Sequence, residues 1–558
     1  MLLLRISFLL SITVILVSTS DTSGPRICIE DGCLLGKDFH SQKGKLYEAF
    51  LGVPYAKPPK GELRFKNPQP IETWTGDYDA TFERSKCVQK NDLWIDQEVE
   101  GDEDCLYINV YKPKHPKHAK LAVMVYIHGG GYFSGSASKG EFGPDRFMDT
   151  EEVVLVVMQY RLGVFGFLST GDQAATGNFG LKDQNAVLRW VQKNVNQFGG
   201  DAELVTLFGQ SAGGASVQMQ MVSPLSKGLF ARAWSLSGSA LGFWTKPNEN
   251  PLSIAREQAM AVGIASAESM SSEELVAALR QVDAVKLGKS IDKLKFWHVF
   301  PLVPYRPVVE RYVDNETFIS EDQRVLWARG DYLQVPWTAS FVPNEGAFAS
   351  LALIANQTLL DQLNENAGSY LLRILGCTDS EKARQLLKEH YFSDGSEDRW
   401  ITENNKHHIQ DIFSESYITY SLAQGVLQHI ALKKPNKSPI DVRIFSFAGR
   451  YSHSKYFSKT DENFGVCHSD DLLYLFRAKD LFPDFKLNSH EYSMAEKLVD
   501  EYVRFAYDGL KIRNCQQNPC SILEYTNSED HELPYQLNEV TGFDEEMIKF
   551  WTEFYSTC

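Results

Sequence analysis

Two unbroken apolar runs, LAVMVYI (residues 121–127) and VVLVVMQY (153–160), constrain what this chain can fold into more than any other feature. A strand with one wet face alternates apolar and polar residues. A continuous valine-rich run instead suits a strand buried on both faces of a mostly parallel sheet. Between the runs, HGGGYFSGSASKG is too rich in glycine for a helix. After the second, LKDQNAVLRWVQKNVNQFGG places Val187, Leu188, Val191, Val195 and Phe198 at helical spacing and stops on Gly199 and Gly200. LVTLF then reads as a short strand, GQSAGG as a turn and ASVQMQMV as a helix. This alternation predicts the α/β class, with a central mostly parallel sheet flanked by helices. ARAWSLSG, QVPWTASFV and DVRIFSFAG read as further core strands. Helical segments around 359–375, 406–433 and 491–509 separate them, with apolar stripes that face the core or cap a pocket.

A chain of 558 residues with 43 % hydrophobic and 12 % aromatic residues is expected to be globular. No linker, repeat or charge block divides it, so residues 21–558 are expected to form one large domain. A net charge of -16 argues against nucleic acid as a partner. MLLLRISFLLSITVILVSTS has Arg5 before an apolar run and small residues at Ser18 and Ser20, the pattern of a secretory signal over residues 1–20. That run is too short to span a bilayer, so an extracellular protein without a stable membrane anchor is expected. Export permits disulfides, and nine cysteines leave at least one unpaired within a monomer. Neither clustered Cys/His spacing for zinc nor a glycine-rich phosphate loop occurs. Asn315, Asn356 and Asn436 head N-x-S/T triplets and are candidate glycosylation sites.

VTLFGQSAGGAS (205–216) contains G-x-S-x-G, a pentapeptide that chance supplies in roughly one chain in six of this size. Its context is more informative. Ser211 lies between a predicted strand and a predicted helix, with Gly209 and Gly213 where side chains would collide, as a nucleophile elbow requires. Ala212 would offer its N–H to a developing oxyanion at the helix N-terminus. Upstream, His128-Gly129-Gly130-Gly131 ends a buried strand, and consecutive glycines let backbone N–H groups point into a cavity. His128 itself is expected to be structural. In an α/β-hydrolase the base follows the serine and an acid lies between them. His468, in the polar loop NFGVCHSDD, is the best placed base, since His407, His408 and His429 lie on apparent helices. Glu345, at a loop tip after QVPWTASFVPN, is the candidate acid.

With these residues assembled, the chain resembles the type-B carboxylesterase and cholinesterase family over essentially its whole mature length. LGVPYAKPP, ELRFKNPQP, EDCLYINVYKP, HGGGY, YRLGVFGFLS, GNFGLKDQ, FGQSAGGAS and GVCHSDD occur in the family's order. The resemblance implies an α/β-hydrolase fold with the active site in a gorge, the triad Ser211, Glu345 and His468, and oxyanion donors at Gly130, Gly131 and Ala212. It is strongest to the secreted insect carboxylesterases, the group of juvenile hormone, antennal and venom esterases. Arg64-Phe65, Asp183-Gln184, Gln210-Ser211, Glu345 and Gly465-x-x-His468-x-x-Asp471 match that group's motif set. A Cys87–Cys105 disulfide is also implied. A second bridge common in relatives is expected to be absent, because Ile264 and Ala278 stand where its cysteines would align; Cys515 and Cys520 are left open. Cholinesterase activity is not expected: Gln210 replaces the usual glutamate before the serine, and Trp94 is an uncertain match to the choline-stacking tryptophan.

The expected chemistry is acyl transfer from a small apolar ester to water, with no metal or organic cofactor. Juvenile hormone and odorant or pheromone esters are candidate substrates. Trp244 is either an acyl-pocket residue or a core tryptophan. The alternative is an esterase-like protein of low turnover that binds ligands or scavenges organophosphates. The sequence leaves the oligomeric state open.

Overall fold

The computed structural model describes residues 24–558 apart from 92, 94–96, 378–379, 397–398, 511–514 and 531–532. The segment 1–20 and Trp94 therefore lie outside the described residues. The strands are β1 (Arg26–Ile29), β2 (Gly32–Leu35), β3 (Lys37–His40), β4 (Leu46–Pro54), β5 (Asp77–Asp79), β6 (Tyr107–Pro113) and β7 (Leu121–Ile127). They continue with β8 (Val153–Met158), β9 (Gly200–Gln210), β10 (Arg232–Leu236), β11 (Trp337–Phe341), β12 (Ile440–Phe445), β13 (Ser521–Thr526) and β14 (Gln536–Thr541). An 11-stranded sheet runs in the order β14-β13-β12-β11-β10-β9-β7-β8-β6-β4-β3, and β1, β2 and β5 form a small sheet beside it. From β8 to β13 every neighbouring pair is parallel, while the flanking pairs β6/β8, β4/β6, β3/β4 and β13/β14 are antiparallel.

Burial explains why the centre of the sheet was legible. Every residue of β7, β8 and β11 is buried, as continuous apolar runs require. β9 starts at Gly200, several residues ahead of LVTLF. The helix Phe179–Asn194 tightens into a 3₁₀ turn, Val195–Phe198, and stops on Gly199 at φ 80°. Val187, Leu188, Val191, Val195 and Phe198 are all fully buried against the sheet. Two of the expected helical segments are broken. Residues 359–375 fall in two helices, Gln357–Glu365 and Ala367–Ile374. Residues 406–433 form helices His408–Ser414 and Tyr420–Ala431 around a π-helical turn, Glu415–Thr419. The third, 491–509, is the single helix His490–Asp508.

Disulfides join Cys87 to Cys105, Cys28 to Cys33, Cys377 to Cys558 and Cys515 to Cys520, leaving Cys467 as a buried free thiol. Among the described residues no helix is long and apolar enough to cross a membrane.

Candidate active site

Loops leaving the C-terminal ends of parallel strands converge on Ser211. β9 ends at Gln210 and a helix runs from Ala212 to Val222, so Ser211 alone makes the turn. It does so at φ 59° and ψ -123°, a strained conformation for a residue with a Cβ. Two bonds hold it there: the Ser211 N–H donates to Leu236 O (2.8 Å) and the Ala215 N–H donates to Ser211 O (2.9 Å). The backbone of β7 passes so close that a Cβ at position 213 would lie 2.1 Å from Ile127 O. Glycine there is a packing requirement.

The loop after β7 approaches the same turn. Gly130 takes φ +97° while its carbonyl accepts from the N–H groups of Phe133 (3.0 Å) and Ser134 (2.9 Å). The N–H groups of Gly130, Gly131 and Ala212 have no acceptor among the described residues, and Gly130, Gly131 and Ser211 line one cavity. His128 is buried beneath, its ring stacked 4.4 Å from Tyr160 and its Nδ1 2.8 Å from Gly129 O. Burial pushes its pKa down to about 4, so it is neutral and shapes the loop.

Glu345 follows β11 by a few residues and is fully buried. Its Oε1 accepts from the Val342 N–H (2.9 Å) and its Oε2 lies 2.5 Å from Nδ1 of His468. The two loops are pinned together, since the Asn344 N–H donates to Val466 O (3.0 Å). The other ring nitrogen of His468 faces Gln210, whose side-chain Nε2 is 3.0 Å away. Ser211 has no side-chain hydrogen bond among the described residues. The structure therefore brings Glu345 and His468 into contact, and places His468, through Gln210, beside the Ser211 turn.

Behind His468 lies a group of acids. Asp470 accepts from the N–H groups of Cys467 and His453 and from the Ser452 hydroxyl, which braces the loop. Asp471 is buried with Oδ1 unpartnered, and burial, followed by the charges of Glu345 and Asp470, pushes its pKa up to about 8.

The cavity over Ser211 has a volume of about 1030 Å³; most of its exposed lining is apolar, and charged side chains such as Lys86, Glu141, Arg450 and Lys455 also face it. Phe348 packs 5.0 Å from the His468 ring, and Tyr417, from the π-helical turn, packs against Phe348. Trp244 is both buried and in the wall, with its indole N–H donating to Tyr417 O (2.8 Å). Gln89, within the loop closed by Cys87–Cys105, exchanges hydrogen bonds with Gly135 N–H and C=O and so ties that loop to the glycine turn. Asn315, Asn356 and Asn436 are exposed, although Thr317 and Ser438, the hydroxyl residues of two of the triplets, are buried, and Asn356 also caps a helix through Leu359 N–H. Sequence reasoning missed Phe348, Tyr417 and the Gln210–His468 contact. An aromatic residue shortly after Glu345 was the available signal for the first; the π turn and the contact leave none.

Residues 23–551 match the Carboxylesterase family. The chain belongs to that family, has the α/β-hydrolase fold and is a carboxylic ester hydrolase. It is 38 % identical over 501 residues, 87 % of this chain and 84 % of the other, to juvenile hormone esterase of Tribolium castaneum. It is 33 % identical to venom carboxylesterase-6 of Apis mellifera, with 91 % and 90 % of the two chains covered. Among solved structures, juvenile hormone esterase from Manduca sexta with OTFP covalently attached superposes with a TM-score of 0.82 at 26 % identity, covering 95 % of this chain and 99 % of that one.

Proposed function

We propose that this hydrolase is a secreted serine esterase in which Ser211 is the nucleophile, His468 the general base and acid, and Glu345 the residue that orients and stabilises the imidazolium. The observation that carries the reading is the 2.5 Å contact between Glu345 Oε2 and His468 Nδ1 beside the strained Ser211 turn. Nδ1 then carries a proton, which leaves Nε2 able to receive the proton of Ser211 as Oγ attacks the ester carbonyl. Negative charge on the carbonyl oxygen is met by the free N–H groups of Gly130, Gly131 and Ala212. His468 returns the proton to the departing alcohol, leaving an acyl-Ser211. Water, deprotonated by His468, then releases the acid. Residues 1–20 serve as the export signal of a single domain, 21–558, with Asn315, Asn356 and Asn436 as glycan acceptors.

A large, mainly apolar cavity favours a long hydrophobic ester over a short one. Together with the likeness to the Tribolium and Manduca enzymes, it supports an ester of juvenile hormone type as substrate. The test has two parts. Burst kinetics with an activated ester should give one acyl group per chain, lost in Ser211→Ala. A panel of kcat/KM values over juvenile hormone, long-chain and short-chain acetates and aryl esters should peak at the hormone. A flat panel would reject the substrate, a burst followed by almost no turnover would favour the scavenging alternative, and unchanged hydrolysis in Ser211→Ala would reject the triad.

A further inference from the structure

We propose that Gln210 is a positioning residue that caps the base of the resting enzyme, its amide donating to the His468 nitrogen that must take the proton of Ser211; this rests on the Ser211–His468 reading above. Because Glu345 holds the proton on Nδ1, Nε2 of the neutral ring has one lone pair to offer. The Gln210 amide nitrogen, 3.0 Å away, occupies it. The amide is held in place: Gln210 ends β9, is buried, and its Oε1 lies where a Cβ at position 129 would come within 2.7 Å. It is wedged between the glycine loop and the imidazole.

Two competitions follow. The Ser211 hydroxyl must displace the amide to reach Nε2, so the serine is less nucleophilic in the empty site than the base alone would make it. A proton must displace it too, because a protonated ring has no lone pair at Nε2; the amide therefore favours the neutral ring. Methionine at 210 keeps the length and removes the donor. Glutamate keeps the shape but can only accept, so it favours the protonated ring. The other charged or titratable groups around the imidazole are Glu345 from the loop after β11, Asp470, Asp471 and the buried Cys467 thiol from its own loop, neutral His128 below the glycine turn, Tyr417 behind Phe348, and His453, joined to Asp470. Glu415, on the π turn behind Tyr417, is turned away to Tyr391 and Trp551. All are retained in both variants, so a difference in pH profile reports on position 210.

The experiment compares full-length wild type, Gln210→Met and Gln210→Glu in their rates of phosphorylation by a small dialkyl aryl phosphate between about pH 5 and 9. Loss of one neutral hydrogen bond predicts that the acidic limb of Gln210→Met moves up by about 0.4–1 pH unit and its plateau rate rises about 2- to 10-fold. The limb of Gln210→Glu should move further in the same direction. Acidic limbs that coincide with wild type in both variants would overturn the proposal. So would a lower plateau in Gln210→Met with an unmoved limb, the mark of a purely structural role. If Gln210→Met does not fold, the near-isosteric Gln210→Glu decides by its limb alone. Wild type that is phosphorylated at Ser211 keeps the triad reading whatever the variants do, whereas wild type that is not phosphorylated there overturns both.

Discussion

Replacing Glu345 by glutamine removes a charge while keeping the shape of the side chain, and the surrounding hydrogen bonds determine the consequence. One carboxylate oxygen accepts from the Val342 N–H at 2.9 Å and the other sits 2.5 Å from His468 Nδ1. An amide has one acceptor and one donor, so it must disappoint one partner. If the C=O stays on Val342, the NH₂ faces Nδ1 and drives the ring to the tautomer with its proton on Nε2, where it is no longer a base. If the C=O turns to Nδ1, the NH₂ opposes the buried Val342 N–H, at a cost of about 1–3 kcal/mol. Either way the imidazolium formed on attack loses a fully buried negative neighbour. An amide at this place in a serine triad lowers kcat by about 10⁴. We therefore expect kcat of Glu345→Gln to fall about 10³- to 10⁴-fold, KM to change little, and denaturant unfolding to show a loss of no more than about 3 kcal/mol. Steady-state kinetics on an aryl ester measures this directly. Retention of more than a tenth of wild-type kcat would refute the assignment of Glu345.

Three further perturbations address the scaffold. In Gly213→Ala the new methyl group would meet two backbone oxygens, Ile127 O at 2.1 Å and His128 O at 2.9 Å, so a loss of at least about 3 kcal/mol is expected; an unchanged melting temperature would contradict the close approach. Removing the Cys377–Cys558 bridge, which closes a loop of sequence separation 181, should cost about 2–5 kcal/mol in chemical denaturation. Burial raises Asp471 to about 8, above the ordinary carboxyl value near 4, so between those pH values the folded state holds a proton that the unfolded chain has lost. Stability from this group is thus fully present below about pH 4 and declines by about 1.4 kcal/mol per pH unit as pH rises towards 8; Asp471→Asn should flatten that slope, and equal slopes for the two proteins would count against it.

What the sequence revealed and concealed has a physical pattern. β7 and β8 are readable because a strand covered on both faces admits almost nothing polar. β14, QLNEVT, is exposed at the sheet edge with no buried residue, and owes its conformation to antiparallel pairing with β13 from Ser521↔Thr541 to Thr526↔Gln536. Such a strand looks like a loop until its partner is known. The π turn at Glu415–Thr419 shifts a hydrogen-bond pattern inside a helical segment without disturbing the apolar periodicity that announces it. The site divides in the same way. The sharp turn at Ser211 was legible from its own neighbours, because such a turn needs glycines at fixed offsets. Glu345 and His468 are 123 residues apart, and only chain order and family resemblance paired them. Gln210 and His468 are 258 apart, and no local rule connects them.

The register of the sheet explains why these distant segments meet. Ile127 of β7 is level with Gly209 of β9, Gln210 with Leu236 of β10, and Leu236 with Ser340 of β11. Parallel neighbours are about 4.8 Å apart, so the glycine loop leaves the sheet one spacing from Ser211 and the Glu345 loop two spacings, about 10 Å, on the other side. Ten ångströms is too far for a carboxylate to act on a serine, and near the span of an imidazole bonded at both ends. The ring therefore has to come from a third loop that crosses the strand ends, and the long connection after β12 is free to do so because its own strand lies beyond β11. That loop is fixed by the bond from Asn344 N–H to Val466 O and by Asp470, not by the sheet itself. His468, the proposed base, consequently owes its place to loop and side-chain contacts, and the buried Gln210 against its outer nitrogen is one of them.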